Sequence, residues 1–475
     1  MAKKRSEFET ENQLDAKIIQ LINDYIKKNE DPKAPVTNYF LPEEVRNNMD
    51  LSIQGEGCSF EELYHHIENY LDNSVRTGHR QYFNQLWSGF SLPGLLGEIV
   101  TSLTNTSMYT YEVAPAASVI ETVLVEKMGK IVGFKDPDGI FVTGGSNGNL
   151  IAMLMARNLK SPELAGQGVQ KETPLVAFIS DQAHYSFEKA ANITGIGVDN
   201  IHKVPTDKLG RMVPQKLEEA IQYQMQKNKR PFFVGATAGT TVNGAFDPLE
   251  EMALITKKYD LWLHVDGSFG GSVILSPKHR HLLKGCEKAD SYIWNPHKMM
   301  GVPLICSVLL TKKKGILRRT FMSSGTGYIF HDSEFSAYDL GPMSMQCGRR
   351  VDAFKLWLCW KFNGDKGYAN RLNTFFELAA FAESWVESNP RLELMAPRSS
   401  VTVCFRYVPH FSSDINRFNL DLREELAQTG KSFVNYGYIG KDVTIRLVIL
   451  NHEVEKQDIR HFFQNCVEAG ERLDV

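Results

Sequence analysis

The sequence lacks the features that mark secreted, membrane-spanning and disulfide-stabilised proteins. No apolar run approaches the roughly 20 residues that cross a bilayer, and the opening stretch MAKKRSEFETENQLD has no apolar signal-peptide core. The seven cysteines are odd in number and scattered, with no CxxC pair among them. We therefore expect reduced thiols, a cytoplasmic location and no membrane partner.

An excess of charge of one sign is also absent. The 475 residues include 53 lysines and arginines against 56 aspartates and glutamates, which gives a net charge of −3. Nucleic-acid binding needs a clustered basic excess, and the basic runs 3–5 and 312–314 are too short to supply one. With 43% hydrophobic and 23% charged residues, the composition is typical of a soluble globular protein of two or three structural units.

Motifs for metal or dinucleotide binding are missing too. The sequence contains no HExxH, Walker or GxGxxG pattern. His65 and His66 follow two glutamates by about one helical turn, which is also what an ordinary charged helix face looks like. His279 and His281 lie in a basic stretch. We expect no metal site at either pair.

Hydrophobic periodicity divides the chain into three predicted parts. Residues 1–110 are expected to form a helical N-terminal segment, since apolar residues recur at helical spacing over 14–25 and 60–71. Residues 111–365 are expected to form a large cofactor-binding domain. Residues 366–475 are expected to form a small C-terminal domain.

Short apolar strands alternate with helical stretches through the second part. Strands that are apolar on both faces are typical of a largely parallel sheet buried between helices, which predicts an α/β fold. The predicted strands are 139–143, 175–179, 231–235, 261–265, 291–294 and 306–310. A helix over 111–133, with Pro115 in its first turn and Gly133 near its C-cap, precedes them.

The third part is predicted to be a compact α/β unit. It is expected to begin with a long helix over 367–388. Its predicted strands are 400–406 and 443–450, and its predicted helices are 420–429 and 455–469.

Lys298 and Asp266 carry the chemical prediction. Lys298 follows Asn295-Pro296-His297 and lies between apolar runs, where a lysine is costly to bury without a partner or a reaction. Asp266 follows the strand 261–265, and ligands bind at the carboxyl ends of strands in open α/β sheets. An amine that bonds to an aldehyde, with a carboxylate that keeps a pyridine nitrogen protonated, is what pyridoxal 5′-phosphate (PLP) requires. A surface lysine and a helix-capping aspartate are the alternatives.

Residues in three further segments of the chain are candidates for the same site. His184 follows the strand 175–179 and could stack on the cofactor, or be a structural histidine. Gly145 and Ser146 lie in the segment 144–150, which follows a strand and opens a predicted helix over 151–158. Free backbone N–H groups at such a helix start attract phosphate, although a plain turn is equally compatible. Thr240 and Thr241 could bond the cofactor's phenolate oxygen, or only stabilise a turn.

With these residues placed, the chain resembles the group II PLP-dependent amino-acid decarboxylases. Within them it is most similar to the branch that acts on glutamate, cysteine sulfinate and aspartate. The similarity extends from about residue 80 to the C-terminus. The stretches that carry it are FNQLWSGF (83–90), NTSMYTYEVAP (105–115), TAGTTVNGAFDP (237–248), WLHVDGSFGG (262–271), WNPHKMMGVP (294–303) and QCGRRVDAFKLW (346–357).

The resemblance implies a fold and a set of cofactor contacts. The fold is the aspartate-aminotransferase-like type (PLP fold type I), with a mainly parallel central sheet, in a homodimer with shared active sites. Residues 1–110 would be the dimerising segment. Lys298 would bond to the cofactor, Asp266 would pair with the pyridine nitrogen and His184 would stack on the ring. The remaining implied cofactor contacts are Gly145, Ser146, Thr241, Ser268 and His297. Ser268 departs from the family pattern, in which a methyl side chain is usual.

The resemblance also implies where the substrate binds and which group protonates it. Gln85, Leu86 and Trp87 would line the substrate pocket, and Arg446 would hold a substrate carboxylate. Tyr328, in the Gly-Tyr-Ile-Phe stretch, would return a proton to the substrate carbon from a mobile loop. Tyr338 is a second candidate for that role.

Trp87 bears on the choice of substrate. In the family, glutamate enzymes have a small residue at this position and sulfinate or aspartate enzymes an aromatic one. A Trp removes the space that the extra methylene of glutamate needs, which favours L-aspartate and L-cysteine sulfinate, with β-alanine and hypotaurine as products. Packing at a dimer contact is the alternative role of Trp87. Glutamate decarboxylation to GABA, an aldehyde-forming lyase, an aminotransferase and an inactive binding protein are the alternative functions.

Overall fold

The computed structural model describes residues 2–53, 55–168, 174–321, 329–330 and 334–474, with side chains from residue 16 onward. Among these residues, no helix combines the length and the apolar character that crossing a bilayer requires. The chain forms two compact units. The terminal unit comprises residues 1–90, 380–395 and 403–475, and the central unit comprises residues 91–379 and 396–402. The three-part division 1–110, 111–365 and 366–475 stays a prediction.

Helices and strands alternate through most of the described chain. The α-helices are α1 (Ala2–Glu30), α2 (Pro42–Asn48), α3 (Phe60–Asp72), α4 (Leu92–Thr104), α5 (Pro115–Val132), α6 (Gly145–Lys160), α7 (Leu164–Gln167), α8 (Ser186–Ile193), α9 (Pro214–Gln226), α10 (Leu249–Lys258), α11 (Ile316–Phe321), α12 (Asp352–Ser388), α13 (Ile415–Gln428) and α14 (Lys456–Leu473). Short 3₁₀ helices span Val198–Asn200, Gly270–Leu275, Arg280–Leu283, Cys286–Lys288, Ser336–Tyr338 and Gly341–Met343. The strands are β1 (Tyr82–Phe83), β2 (Asp138–Val142), β3 (Leu175–Ser180), β4 (Ile201–Val204), β5 (Arg230–Thr237), β6 (Trp262–Gly267), β7 (Ser291–Trp294), β8 (Ser307–Thr311), β9 (Leu392–Leu394), β10 (Thr402–Tyr407), β11 (Phe433–Ile439) and β12 (Asp442–Val448).

A seven-stranded sheet forms the centre of the central unit, in the order β2-β8-β7-β6-β5-β3-β4. Strand β8 runs antiparallel to both of its neighbours, and the other adjacent pairs are parallel. Strands β3, β7 and β8 are buried along their whole length, as expected of a sheet covered on both faces. The predicted α/β class with a mainly parallel sheet is confirmed, and each predicted strand of this sheet agrees with an observed one to within two residues.

Helix α5 begins later than predicted. The predicted start was residue 111, whereas the helix begins at Pro115, its first residue. Proline suits this position because its fixed φ is helical and the missing N–H would have no intrahelical acceptor. The helix ends at Gly133, which has a φ of 98° and so adopts the left-handed conformation common at helix C-termini.

Helix α12, in contrast, begins earlier than predicted, at Asp352 instead of residue 367. Gly364 interrupts it with φ 63° and ψ 175°, so the chain forms two helical segments across a kink. A glycine adopts such a backbone conformation without the steric penalty of a side chain. The predicted helix corresponds to the second segment.

The terminal unit has a five-stranded sheet in the order β1-β11-β12-β10-β9. Strands β10 and β12 correspond to the two predicted strands, whereas β11 was not predicted. Asn435 and Gly437 in β11 are typical of turns, and the strand is only half-buried, so its pattern gave a weak strand signal. Pairing of β11 with β12 places Asn435 opposite Arg446.

A hydrophobic core holds the central sheet against α6. It includes Phe233, Ile293 and Leu309 on the strands and Ile151 and Met155 on the helix, all of them buried. Because α6 follows β2, this packing fixes its first residues beside the carboxyl ends of the parallel strands. That edge of the sheet is where the functional site lies.

Candidate active site

One pocket at the carboxyl edge of the central sheet contains the residues that the sequence predicted to contact a cofactor. Its empty space, which includes some open solvent, is about 680 Å³. The predicted residues that line it are Gly145, Ser146, His184, Thr241, Asp266, Ser268, His297 and Lys298. Further lining residues that the sequence analysis did not assign are Asn149, Tyr185, Thr237, Gly239, Phe269 and Asn295.

The parallel direction of the strands explains why these residues lie close together. Strands β3, β5, β6 and β7 end at the same edge, so the residues that follow them converge although they are far apart in sequence. Strand β2 has the same direction as β7, because both are antiparallel to β8. The N-terminus of α6 therefore arrives at this edge as well.

Asp266 lies at the end of β6, where it is buried and accepts two hydrogen bonds. Its Oδ1 accepts from the Ser268 backbone N at 3.0 Å, and its Oδ2 accepts from Asn149 Nδ2 at 2.8 Å. Burial acts to raise the pKa of Asp266, but the hydrogen bonds from Ser268 and Asn149, with the charge of Lys298, hold it below its ordinary value. The next helical segment begins only at Gly270, so Asp266 does not occupy its N-cap.

His184 lies in the turn between β3 and α8. Its Nδ1 is 2.8 Å from Ser186 Oγ and accepts from the Ser186 backbone N at 3.2 Å. Burial, followed by the positive charges of Lys298 and Lys189, lowers the pKa of His184, while Asp266 acts in the opposite direction. The imidazole is therefore neutral at pH 7 and presents a flat ring to the pocket.

Lys298 and His297 lie in the turn that follows β7. Lys298 is half-buried among apolar neighbours and lines the pocket, so it is not a surface lysine. The His297 Nδ1 lies 2.7 Å from the Cys306 carbonyl oxygen. Burial, followed by the charge of Lys298, lowers the pKa of His297 to about 3. His297 is thus a neutral hydrogen-bonding group.

The first turn of α6 provides the anion-attracting end of the pocket. This helix is 16 residues long and begins at Gly145, so its free N–H groups and dipole favour negative charge. A Cβ on Gly145 would lie 2.2 Å from Ser268 Oγ and 3.0 Å from Asn295 Nδ2. The close approach of α6 to these side chains therefore requires glycine.

The two candidate threonines have different environments. Thr240 Oγ1 donates to Asn243 Oδ1 at 2.5 Å and accepts from the Ala245 backbone N at 2.9 Å, so it stabilises its own turn. Thr241 is one of the residues that line the pocket. The structural alternative thus describes Thr240, and Thr241 keeps the predicted position.

Several buried polar atoms at the pocket wall lack partners. Ser268 Oγ, Asn295 Oδ1 and Thr237 Oγ1 make no hydrogen bond within the described part of the chain. Buried polar atoms in proteins are normally satisfied. A polar ligand here would supply the missing partners, and PLP fits this donor set. Its phosphate suits the α6 N-terminus, its pyridine nitrogen suits Asp266 and its aldehyde suits the amine of Lys298.

The four predicted substrate residues lie in the terminal unit. Gln85, Leu86 and Trp87 follow β1, with Gln85 exposed, Leu86 buried and Trp87 half-buried. Arg446 is buried on β12 and donates to the Asn84 carbonyl oxygen at 3.0 Å. Gln85 Nε2 donates to Asn84 Oδ1 at 2.7 Å, so Asn84 contacts both of these predicted residues.

Two tyrosines were predicted as proton donors. Tyr328 lies outside the described residues. Tyr338 is described, in the 3₁₀ helix Ser336–Tyr338, where its ring centroid is 5.6 Å from that of Tyr111. It is not among the residues that line the pocket.

The histidine pairs that were considered as metal ligands have other contacts. His65 pairs with Glu68 at 2.9 Å, and the ring of His279 stacks on Phe376 at a centroid distance of 3.9 Å. In the described ranges, no group of three or more His, Cys, Asp or Glu side chains could hold a metal ion.

The sheet, the pocket at its carboxyl edge and the lysine–aspartate pair define the class of PLP-dependent enzymes with the aspartate-aminotransferase-like fold. The chain belongs to the pyridoxal-dependent decarboxylase family, because the model of the "Pyridoxal-dependent decarboxylase conserved domain" matches residues 42–408. The predicted family, the predicted cofactor and the predicted carboxy-lyase class are confirmed.

Curated relatives cover almost the whole chain. It is 36% identical over 452 residues to cysteine sulfinic acid decarboxylase from Mus musculus, which covers 92% of each chain. It is also 36% identical over 466 residues to cysteine sulfinic acid decarboxylase from Homo sapiens, covering 95% of this chain and 94% of the relative.

Solved structures agree with this assignment. The crystal structure of mouse CSAD matches with a TM-score of 0.93 at 36% identity, covering 97% of this chain and 98% of that one. Oryza sativa TDC with PLP and tryptamine matches with a TM-score of 0.90 at 24% identity, covering 98% of both chains. The second likeness supports the fold alone.

Proposed function

We propose that this protein decarboxylates L-cysteine sulfinate to hypotaurine, with L-aspartate as a second substrate that gives β-alanine. The observation that carries the proposal is the similarity to two cysteine sulfinic acid decarboxylases at 36% identity along more than nine-tenths of the chain. The lysine–aspartate pocket supports the cofactor chemistry that such a reaction needs.

Each group of the pocket has a proposed task. Lys298 would hold the cofactor by its aldehyde carbon, the atom to which the amino group of the substrate must bind. Asp266, held as a carboxylate, keeps the pyridine nitrogen protonated, and His184 packs against the ring. Gly145, Ser146 and His297 hold the phosphate, while Thr241 and Ser268 contact the remaining polar atoms. Bound PLP supplies the electron sink for the pair left behind when carbon dioxide departs.

The acidic end of the substrate is assigned to Arg446. Its guanidinium is buried on β12 and oriented by the Asn84 carbonyl oxygen. Planar guanidinium groups suit carboxylate recognition, and a sulfinate group presents a similar pair of oxygens. Gln85 and Leu86 are the proposed neighbours of this end of the substrate.

Trp87 is the proposed size filter. It is half-buried, and its ring centroid is 6.0 Å from that of Tyr82, so two aromatic rings limit the volume beside it. Cysteine sulfinate and aspartate have a side chain one methylene shorter than that of glutamate. Size exclusion of one methylene corresponds to roughly 10–200-fold discrimination.

Protonation of the substrate carbon is assigned to Tyr328. The assignment rests on the Gly-Tyr-Ile-Phe match and on the suitability of a phenol as a positioned general acid.

A homodimer with shared active sites and a cytoplasmic location belong to the same proposal. Helix α4 supports the dimer, because Leu92, Leu96 and Leu103 are exposed at helical spacing, with Leu103 77% exposed. An apolar helix face of this kind is typical of a protein–protein contact. The molar mass in solution tests the dimer, and cell fractionation tests the location.

The first experiment compares substrates side by side. Purified protein with PLP is given cysteine sulfinate, aspartate or glutamate, and the amine products are quantified. We expect hypotaurine and β-alanine to exceed GABA. If GABA were the main product, the substrate proposal would be wrong, although the decarboxylase family would stand.

A variant tests the filter itself. Trp87→Ala enlarges the space beside the substrate, so the ratio of glutamate activity to cysteine sulfinate activity should rise by about tenfold or more. Trp385→Phe is the matched control, because Trp385 stacks on Phe463 elsewhere in the terminal unit. A ratio unchanged by Trp87→Ala would assign Trp87 to packing.

A further inference from the structure

A buried network of hydrogen bonds connects Asp266 with His184 beneath the pocket. Its centre is Asn149 on α6, whose side chain is 1% exposed and which the sequence analysis did not assign. Asn149 Nδ2 lies 2.8 Å from Asp266 Oδ2 and 2.9 Å from Ser186 Oγ. Asn149 Oδ1 lies 2.9 Å from His264 Nε2. The one amide group therefore contacts three side chains, two of them on β6 and one on α8.

The direction of each hydrogen bond follows from Asp266. A carboxylate only accepts, so the amide nitrogen of Asn149 faces Asp266 and the amide oxygen faces His264. His264 must then donate from Nε2. Because His264 is fully buried, its pKa is lowered to about 4 and the ring is neutral, which leaves Nδ1 as an acceptor.

The far end of the network agrees with this assignment. Ser291 Oγ lies 2.8 Å from His264 Nδ1 and accepts from Trp262 Nε1 at 2.8 Å. An indole nitrogen can only donate, so the single hydroxyl proton of Ser291 is available for His264 Nδ1. Each donor in this part of the network thus has one acceptor, and the side-chain amide of Asn149 has one orientation.

The second proton on the Asn149 amide determines to which group the Ser186 hydroxyl donates its own proton. Ser186 Oγ accepts it, so the hydroxyl proton of Ser186 is donated to His184 Nδ1, 2.8 Å away. The Ser186 backbone N–H also points at His184 Nδ1, at 3.2 Å. Neutral His184 therefore has its proton on Nε2.

We propose that Asn149 is a positioning residue for the cofactor, which orients the Asp266 carboxylate directly and, through the Ser186 hydroxyl, directs a second hydrogen bond to His184 Nδ1. The role rests on the proposed contacts of Asp266 and His184 with PLP, and it is independent of which amino acid is the substrate. A residue that only stabilised α6 would affect the stability of the protein but not the properties of the bound cofactor.

The test is the Asn149→Asp variant of the holoenzyme. Aspartate has nearly the same shape and can still accept from His264, but in its ionised form it donates no hydrogen bond, and it places a second carboxyl group beside Asp266. The dissociation constant for PLP should rise by about tenfold or more, since a hydrogen bond to an ionised group is lost. The visible circular dichroism of bound PLP should change as well.

A pH titration separates positioning from packing. Two adjacent carboxyl groups share a proton, so the visible absorbance of bound PLP in Asn149→Asp should gain a pH-dependent step that the wild type lacks. The matched control is Asn158→Asp, two turns further along α6, where the side chain accepts hydrogen bonds from Arg157 at 2.9 and 3.1 Å. The control should match the wild type in affinity, dichroism and titration.

A second variant applies if Asn149→Asp does not fold. Ser186→Ala removes the hydroxyl contact with His184 Nδ1, keeps the backbone N–H contact and leaves the contact between Asn149 and Asp266. It should therefore change the dichroism of bound PLP without adding the titration step. Wild-type affinity and spectra in folded Asn149→Asp, or wild-type dichroism in Ser186→Ala, would overturn the positioning role. If the wild type made no hypotaurine while these cofactor effects appeared, only the substrate proposal would fail.

Discussion

Side chains in the pocket differ in charge because burial and hydrogen bonding act on them differently. Burial lowers the pKa values of His184, His264 and His297, so all three rings are neutral at pH 7. Asp266 is equally enclosed, yet two hydrogen bonds hold its pKa below the ordinary value. Neutral rings beside a charged carboxylate suit a cofactor with a protonated pyridine nitrogen.

At Tyr328, loss of a single hydroxyl group should change the outcome of the reaction. Tyr328→Phe removes the proposed general acid, and positioned acids contribute about 10²–10⁴-fold to rate. Amine formation should fall accordingly, and pyridoxamine phosphate should accumulate because the proton is delivered to the wrong atom. Product and cofactor analysis by chromatography measures both quantities.

The other aromatic candidate serves as the control for this experiment. Tyr338→Phe changes the same hydroxyl at a residue that packs on Tyr111, so it should behave like the wild type. If Tyr328→Phe formed the amine at the normal rate without pyridoxamine phosphate, the proton donor would be another group.

Among the elements, α6 contributes twice to the pocket. Its first residue, Gly145, lies at the anion-attracting end, and Asn149, one turn further, orients Asp266. Asp266 lies at the carboxyl end of β6, and Lys298 lies in the turn that follows the carboxyl end of β7. We therefore expect the distance between α6 and these strand ends to control the affinity for the cofactor.

Gly145→Ala tests this spacing. The added methyl group would meet Ser268 Oγ at 2.2 Å and Asn295 Nδ2 at 3.0 Å, so α6 or the two side chains must shift. The affinity for PLP should fall by about tenfold or more, since at least one hydrogen bond to the phosphate would be strained. Equilibrium dialysis against PLP measures the loss.

Gly166→Ala is the matched control for this change. Gly166 lies in α7, and a Cβ there would have no atom within 4 Å. Its PLP affinity should equal that of the wild type. Equal affinity in Gly145→Ala would show that α6 does not approach the cofactor closely.

Element boundaries show where sequence patterns succeed. Six of the seven strands of the central sheet were predicted to within two residues because their apolar runs are continuous. Strand β4 was not predicted, since its four residues include His202 and Lys203. Helix α13 begins at Ile415, five residues before its predicted start at residue 420, because the Asp414 side chain accepts from the Arg417 backbone N at 2.9 Å and caps it. Such a cap is a short polar signal that hydrophobic periodicity does not report.

On the scale of the whole molecule, buried neutral histidines link folding to pH. The unfolded chain protonates histidine near pH 6.5, whereas His264 and His297 have folded-state pKa values of about 4 and about 3. As the pH falls below about 6.5, the unfolded state binds protons that the folded state does not. The part of the unfolding free energy that depends on these two histidines should therefore be fully present above about pH 6.5 and be lost as the pH falls towards 4.

His264→Gln tests this linkage. Glutamine keeps an N–H donor for Asn149 but does not titrate, so the unfolding free energy of the variant should depend less steeply on pH between 6 and 5. The difference in slope is at most about 1.4 kcal/mol per pH unit for one group. Urea unfolding without added PLP at several pH values measures it. Parallel slopes for the variant and the wild type would contradict the assignment.

The sequence by itself determined the chemistry and the class of fold. Three local properties could be recognised without coordinates. They are the amine of Lys298, the carboxylate of Asp266 and the continuous apolar strands. The tertiary structure decided how the pocket is arranged. Asn149 and His264 are 115 residues apart, and Asn149 and Ser186 are 37 apart, so their contacts exist only once α6 packs beside β6 and α8. Hydrogen-bond direction depends on such long-range contacts, and for that reason Asn149 emerged from the fold and not from the pattern of residues.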